Sequence, residues 1–276
     1  MISDRIRTTT REVRRSARWH AVFVCLIVAT TCVPDAGASS LEGAAERYRR
    51  YLADDIGRTL AGARALRERM EAHDLDGAKG AWIEARIGWE RSEVFTSGFV
   101  PELDQEIDAW PNAQRGFHAI EAKLFGADRT DSHEETEALI AHLTNLHAMV
   151  QDIPLQPQRL LNGIARLAFE IGGNKADGGE SRLSGTSLGD MQSNVDGIEL
   201  AYRIIFSDAV EAAAPELAEA ARAAIQDLKA TVQVPALRDI DSEKLRAKSE
   251  ELVAILQSAA ASLGLQRPTL EEATPQ

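Results

Sequence analysis

The chain has 276 residues and carries 31 basic against 43 acidic side chains, a formal charge of −12 at pH 7. That balance excludes the phosphate backbone of nucleic acid as a partner and favours cations. Both cysteines, Cys25 and Cys32, precede residue 39, so a metal site in the remainder must be built from His, Asp and Glu.

Residues 1–38 read as a signal peptide. Arg5, Arg7, Arg11, Arg14, Arg15 and Arg18 precede the apolar run from Ala21 to Ala29, which is too short to span a bilayer, and Ala36-Gly37-Ala38 supplies a small-x-small cleavage site. The expected mature start is Ser39 and the expected location the periplasm. A retained anchor and lipid attachment at Cys32 are the weaker alternatives, and Arg14-Arg15 is a faint twin-arginine signal because Ser16-Ala17-Arg18 follows. Removing six arginines and three acids leaves an even more acidic chain with no stable transmembrane segment.

Beyond residue 39 the apolar residues recur with a period near 3.6, and no alternating Val, Ile and Thr run marks a strand. The pattern predicts an all-α protein, residues 39–276 forming one helical domain. A first helix spans 41–73, with Tyr48, Leu52, Ile56, Leu60, Ala63, Leu66 and Met70 on its apolar side, and a second spans 78–97. Residues 98–114, with Pro101 and Pro111, read as a partly irregular crossover before the helix that carries His118. Further helices are predicted at 133–150, 156–171, 187–213, 215–233 and 241–263, with a Gly-, Ser- and Asn-rich loop between Gly172 and Gly189 and a frayed tail after Gln266. The element count suits two up-and-down four-helix bundles in tandem, halves near 39–150 and 151–265.

Several polar residues interrupt this pattern. His118 and Glu121 are three apart, so they share one helix side and could converge on an ion. Phe117, Ile120, Leu124 and Phe125 make the buried arc, with Glu121 inside it and His118 on its border. Glu90 sits in the stripe Ile83, Ile87, Val94, where a buried carboxylate needs a partner: a metal, or a salt bridge to Arg86 or Arg115. Glu93 lies on a neighbouring face. Asp104 and Asp108 are four apart and read either as ligands or as a helix-start charge cluster. Glu170 flanks an apolar face and Glu180 lies in the Gly-rich loop. His73, His133, His142 and His147 lack ligand spacing, and Trp82 and Trp89 read as core. The zinc-protease helix, the Gly-x-Ser-x-Gly turn and the phosphate-binding loop are all missing from the sequence, so no residue is assigned a catalytic role.

Taken together, Trp89-Glu90-Arg91-Ser92-Glu93, Leu103-Asp104 with Ile107-Asp108-Ala109, Gly116-Phe117-His118-Ala119-Ile120-Glu121, Gly179-Glu180-Ser181-Arg182-Leu183-Ser184 and Asp190 to Gly197 resemble the imelysin-like family. That family includes EfeO- and EfeM-type periplasmic iron-uptake proteins. The resemblance implies metal ligands at His118, Glu121, Glu90, Asp104 or Asp108, and Glu180, with Glu93, Arg115 and Glu170 supporting them. It implies a divalent or ferric cation, iron first and zinc, manganese or calcium as alternatives, in a protein that delivers it to an inner-membrane iron permease. Because Ser39 leads straight into the first helix, the short form without a copper-binding cupredoxin domain is expected. The sequence departs from the family at Ser184-Gly185-Thr186-Ser187-Leu188-Gly189-Asp190, which lacks a histidine and a tryptophan usual there. A metallopeptidase and a polysaccharide-binding protein are the alternative functions.

Overall fold

The computed structural model describes residues 36–109, 114–175 and 181–270. The leader with both cysteines, Pro111 and Glu180 lie outside the described residues. Every regular element among the described residues is helical, and residues 34–276 cluster as one unit.

Helix α1 (Ala36–Glu71) buries the apolar positions from Tyr48 to Met70 that the 3.6 period predicts. It ends where His73 takes a left-handed backbone with φ of 54°, a conformation for which His, Asn and Asp are the better-tolerated non-glycine residues. Asp74 then caps α2 (Leu75–Phe99), its carboxylate accepting from the Gly77 amide at 2.9 Å. That cap starts the helix three residues before the periodic pattern does.

Helix α2 is the central element and packs on α1, on α6 (Pro157–Glu170) and on α7 (Ser187–Ala201). Trp82 and Trp89 are fully buried along it, each stabilising the fold by roughly 4 kcal/mol from the area removed from water. At Gly197 of α7 a side chain would run into the Arg91 carbonyl of α2, so glycine sets how close these two helices come.

The crossover after α2 is more regular than the two prolines suggested. Pro101 occupies the first turn of a short helix α3 (Pro101–Ile107), with Glu102 and Asp104 in that turn. Proline lacks the amide that a first helical turn leaves unpaired anyway, and acids suit the positive end of the helix dipole. Helix α4 (Gly116–Glu121) begins on Gly116, whose φ is +63° and whose missing side chain leaves room for the Ile107 carbonyl. Only glycine meets both demands at low cost, and this contact seats α4 on the end of α3.

Helix α5 (His133–Met149) packs on α1, α3 and α4, while α9 (Pro215–Val232) and α10 (Ser242–Ser262) close the side formed by α6 and α7. Three single π-turns occur among the described residues: Ala122–Gly126 directly after α4, Ile171–Lys175 after α6, where the sequence predicts loop from Gly172, and Tyr202–Phe206 between α7 and α8 (Ser207–Ala213). The expected continuous helix 187–213 is therefore two helices joined by a π-turn. Such turns recur at functional sites, and the first two flank the polar cluster described next.

Candidate metal centre

Helix α2 supplies three charged residues to this cluster, Arg86, Glu90 and Glu93, spaced four and three apart so that they share one helix side. Asp108 arrives as the C-terminal cap of α3, its amide donating to the Asp104 carbonyl at 2.8 Å. His118 and Glu121 follow one turn apart on α4. From the far half of the chain come Lys175 at the end of its π-turn, Ser181 and Ser184 from the loop, and Asp190 and Asn194 one turn apart on α7.

The imidazole of His118 lies between two carboxylates, Nδ1 3.0 Å from Glu121 Oε2 and Nε2 3.2 Å from Asp108 Oδ1. It is 1% exposed, deeper than the border position that the helical wheel assigned to it. The second oxygen of Asp108 accepts from the Trp89 indole at 2.7 Å. Glu121 Oε1 accepts from both the amide and the hydroxyl of Ser184, at 2.8 and 2.7 Å. Arg86 pairs with Glu90, with Asp108 at 2.5 Å and with Asp190 at 3.3 Å. Its guanidinium also stands 5.7 and 5.4 Å from the ring centres of Trp82 and Phe117. Lys175 Nζ is 3.2 Å from Glu90, 3.0 Å from Glu93 and 2.9 Å from Asn194 Oδ1, and the Asn194 amide donates to Glu90 and Glu93 at 2.8 and 2.7 Å. Ser181 donates to Asp190 at 2.5 Å.

Burial opposes charge on each of these acids, and neighbours decide how far it wins. Burial pulls the Asp108 carboxyl up, but the charges of Arg86 and His118 hold it well below the usual carboxylate range. Burial would also deprotonate His118; Asp108 outweighs it, and with the hydrogen bonds to Asp108 and Glu121 the imidazolium is kept up to about 9. Glu121 resists burial in the same way, lowered by His118 and Ser184. Asp190 is the exception: burial, with Glu90 adding to it, pushes the carboxyl up to about 7 against the pull of Arg86.

Two features of the geometry bear on a cation. Glu90, Glu93 and Asp108 each bring a carboxylate oxygen, all within 4.8 Å of one another. Oxygen ligands bind hard cations at about 2.0–2.6 Å, so one ion could touch all three. Among the described residues, moreover, five carboxylates (Glu90, Glu93, Asp108, Glu121, Asp190) face three cationic groups (Arg86, Lys175 and the His118 imidazolium).

The structure thus brings Glu90, Glu93, Asp108, His118 and Glu121 together. Asp104 sits one turn before Asp108, partly buried, and is outside the three-carboxylate group. Arg115 is half exposed and pairs with Glu106 at 2.5 Å, not with Glu90. Glu170 pairs with Arg166 at 2.7 Å on its own helix. The partners that sequence reasoning did not assign are Lys175, Ser181, Ser184, Asp190 and Asn194. The last four lie inside the segments that carry the family resemblance. Nothing in the sequence marks Lys175.

Comparison with known proteins agrees with this architecture. The imelysin (M75 peptidase) family profile matches residues 44–115 and 111–263, and the chain belongs to that family. Among curated relatives, the iron uptake system component EfeO of Escherichia coli K12 is 30% identical over 186 residues, 62% of this chain and 49% of that protein. EfeO of Shigella flexneri matches equally well. The chain therefore spans about half the length of the curated relatives it matches. Among solved structures, a protein described as a putative iron-regulated protein A precursor from Parabacteroides distasonis superposes with a TM-score of 0.63 at 16% identity, over 82% of this chain and 95% of that one; it shares the fold.

Proposed function

We propose that this protein binds a metal ion as cargo in iron uptake, through Glu90, Glu93, Asp108, His118 and Glu121. The observation that carries this reading is the convergence of three carboxylate oxygens within 4.8 Å beside the His118–Glu121 pair, in a buried cluster with more acids than bases. A cation of charge two or three would offset negative charge that the basic groups of the cluster leave over. One imidazole among oxygens suits iron, manganese, zinc or calcium, and the iron-uptake naming of the EfeO relatives favours iron. His118 would give up its proton to become a ligand, so affinity should fall as the medium is acidified.

The same reading places the protein in the periplasm after cleavage near Ala38 and gives it an inner-membrane iron permease as the acceptor of its ion. It divides the helical unit into halves near 39–150 and 151–265, and adds Glu180, in the loop beside Ser181, as a further ligand. None of the described helices is long and apolar enough to cross a membrane. The test is calorimetry with Fe, Zn, Mn and Ca ions on the purified protein beside the double variant His118→Ala, Glu121→Ala. Binding by the wild type that the variant loses is the expected result, and absence of binding by the wild type would sink the proposal. A peptidase assay on the same pair covers the activity in the family's name: cleavage lost in the variant would replace transport by hydrolysis.

A further inference from the structure

The acidic pocket already holds a cation, and that cation belongs to the chain. The ammonium of Lys175 lies 3.2 Å from Glu90 Oε2 and 3.0 Å from Glu93 Oε2, two of the three carboxylates whose oxygens could share one ion. Asn194 completes the seat, accepting from Lys175 and donating to both glutamates. The residue is 4% exposed, which is rare for lysine unless it is paired. An ammonium seated between these two carboxylates competes with a metal ion for them, since the two like charges would repel in a poorly solvated site.

We infer that Lys175 is a tethered counter-cation: it fills the Glu90–Glu93 end of the site in the ion-free protein and leaves when the metal ion arrives. The inference rests on the functional reading above and adds a mode of regulation to it. Its placement suits the task. Lys175 ends the π-turn Ile171–Lys175, after Gly172 and Gly173, so its long stem is attached beyond the end of α6 and belongs to neither α2 nor α7, the helices that carry its partners. The exchange is ionic and breaks no covalent bond: one tethered positive charge withdraws, an ion of higher charge takes its place beside the two carboxylates, and the site becomes less negative by the difference. A competing internal cation lowers affinity by the fraction of molecules in which it has already left, and it gives the protein a way to expel its cargo by returning.

Two measurements test this. Acylation of lysines by an amine-reactive ester, read by mass spectrometry, should leave Lys175 protected in ion-free protein relative to the exposed Lys244, and should modify it when Fe2+ (under anaerobic conditions), Mn2+ or Zn2+ saturates the site. In calorimetry with the same ions, Lys175→Ala should bind about tenfold more tightly or better, as expected when a closed state outnumbers the open one by roughly ten to one. Ion binding by the wild type with Lys175 still protected would overturn the inference and leave the metal site standing. An unchanged or weaker affinity in Lys175→Ala would do the same. Failure of every ion to bind either protein would overturn both the inference and the functional reading. The labelling arm uses only the wild type, so it decides the matter even if the variant folds poorly.

Discussion

Helix α2 carries two ionic systems built on buried carboxylates, and they differ in the charge that their basic partners leave over. Against α1, Arg91 pairs with Asp55 at 3.3 Å, and Arg58 reaches the same carboxylate at 3.9 Å from a largely exposed position. One acid there has two guanidiniums, both partly open to water, and its carboxyl is still pushed up by burial against the pull of Arg91. Against α3, α4 and α7, Arg86 is 1% exposed and serves three carboxylates at once, while Lys175 serves two. The acids are buried in both; the exposure of their basic partners and the charge left over are what separate them. An over-compensated pair is finished as it stands, whereas an under-compensated cluster has capacity for a further cation.

Breaking each system at its arginine is the sharpest way to test that contrast. Arg86→Met should cost about 3–5 kcal/mol in urea unfolding, because it strands buried carboxylates without their main partner. Arg91→Met should cost about 1 kcal/mol, since Arg58 remains near Asp55 and Arg91 is itself partly solvated. Equal losses would erase the distinction.

A pH series sharpens it further. Asp190 titrates near 7 in the folded protein against an ordinary 3.8, so the folded chain holds a proton that the unfolded chain has released. Its favourable contribution is complete below 3.8 and disappears as pH rises through about 7. Asp190→Asn cannot titrate. In ion-free protein its melting temperature should therefore gain on the wild type between about pH 4 and pH 8, and a constant difference across that range would refute the assignment. The smallest effect belongs to Ser184→Ala. Glu121 Oε1 loses a hydroxyl but keeps the amide of residue 184, so the loss by thermal unfolding should be about 1 kcal/mol.

Much of the fold was legible because apolar period and helix ends agree: α1, α5, α9 and α10 fall within a few residues of the pattern. Two kinds of feature escaped. Proline was read as a breaker across residues 98–114, although Pro101 in a first turn starts a helix. The π-turns add one residue to a turn without altering residue types, so the 3.6 pattern runs through them unchanged. In the site, Glu90, His118 and Glu121 stood out as polar residues in apolar stripes. Glu93, on the neighbouring face and read as a supporting residue, shares Lys175 and Asn194 with Glu90. Lys175 meets Glu90 across 85 residues of chain, and no local pattern encodes an encounter made only by tertiary packing.

The indole of Trp89 donates to Asp108 Oδ2 at 2.7 Å, and that of Trp82 to the Phe117 carbonyl at 3.0 Å, one residue before His118. Both rings are sealed from solvent, so their emission is set by the charges beside them. On the proposed reading, an ion taken up at Asp108 would change the field at the Trp89 ring, and a paramagnetic one would quench it. Intrinsic fluorescence would then follow uptake and release in real time, without a label.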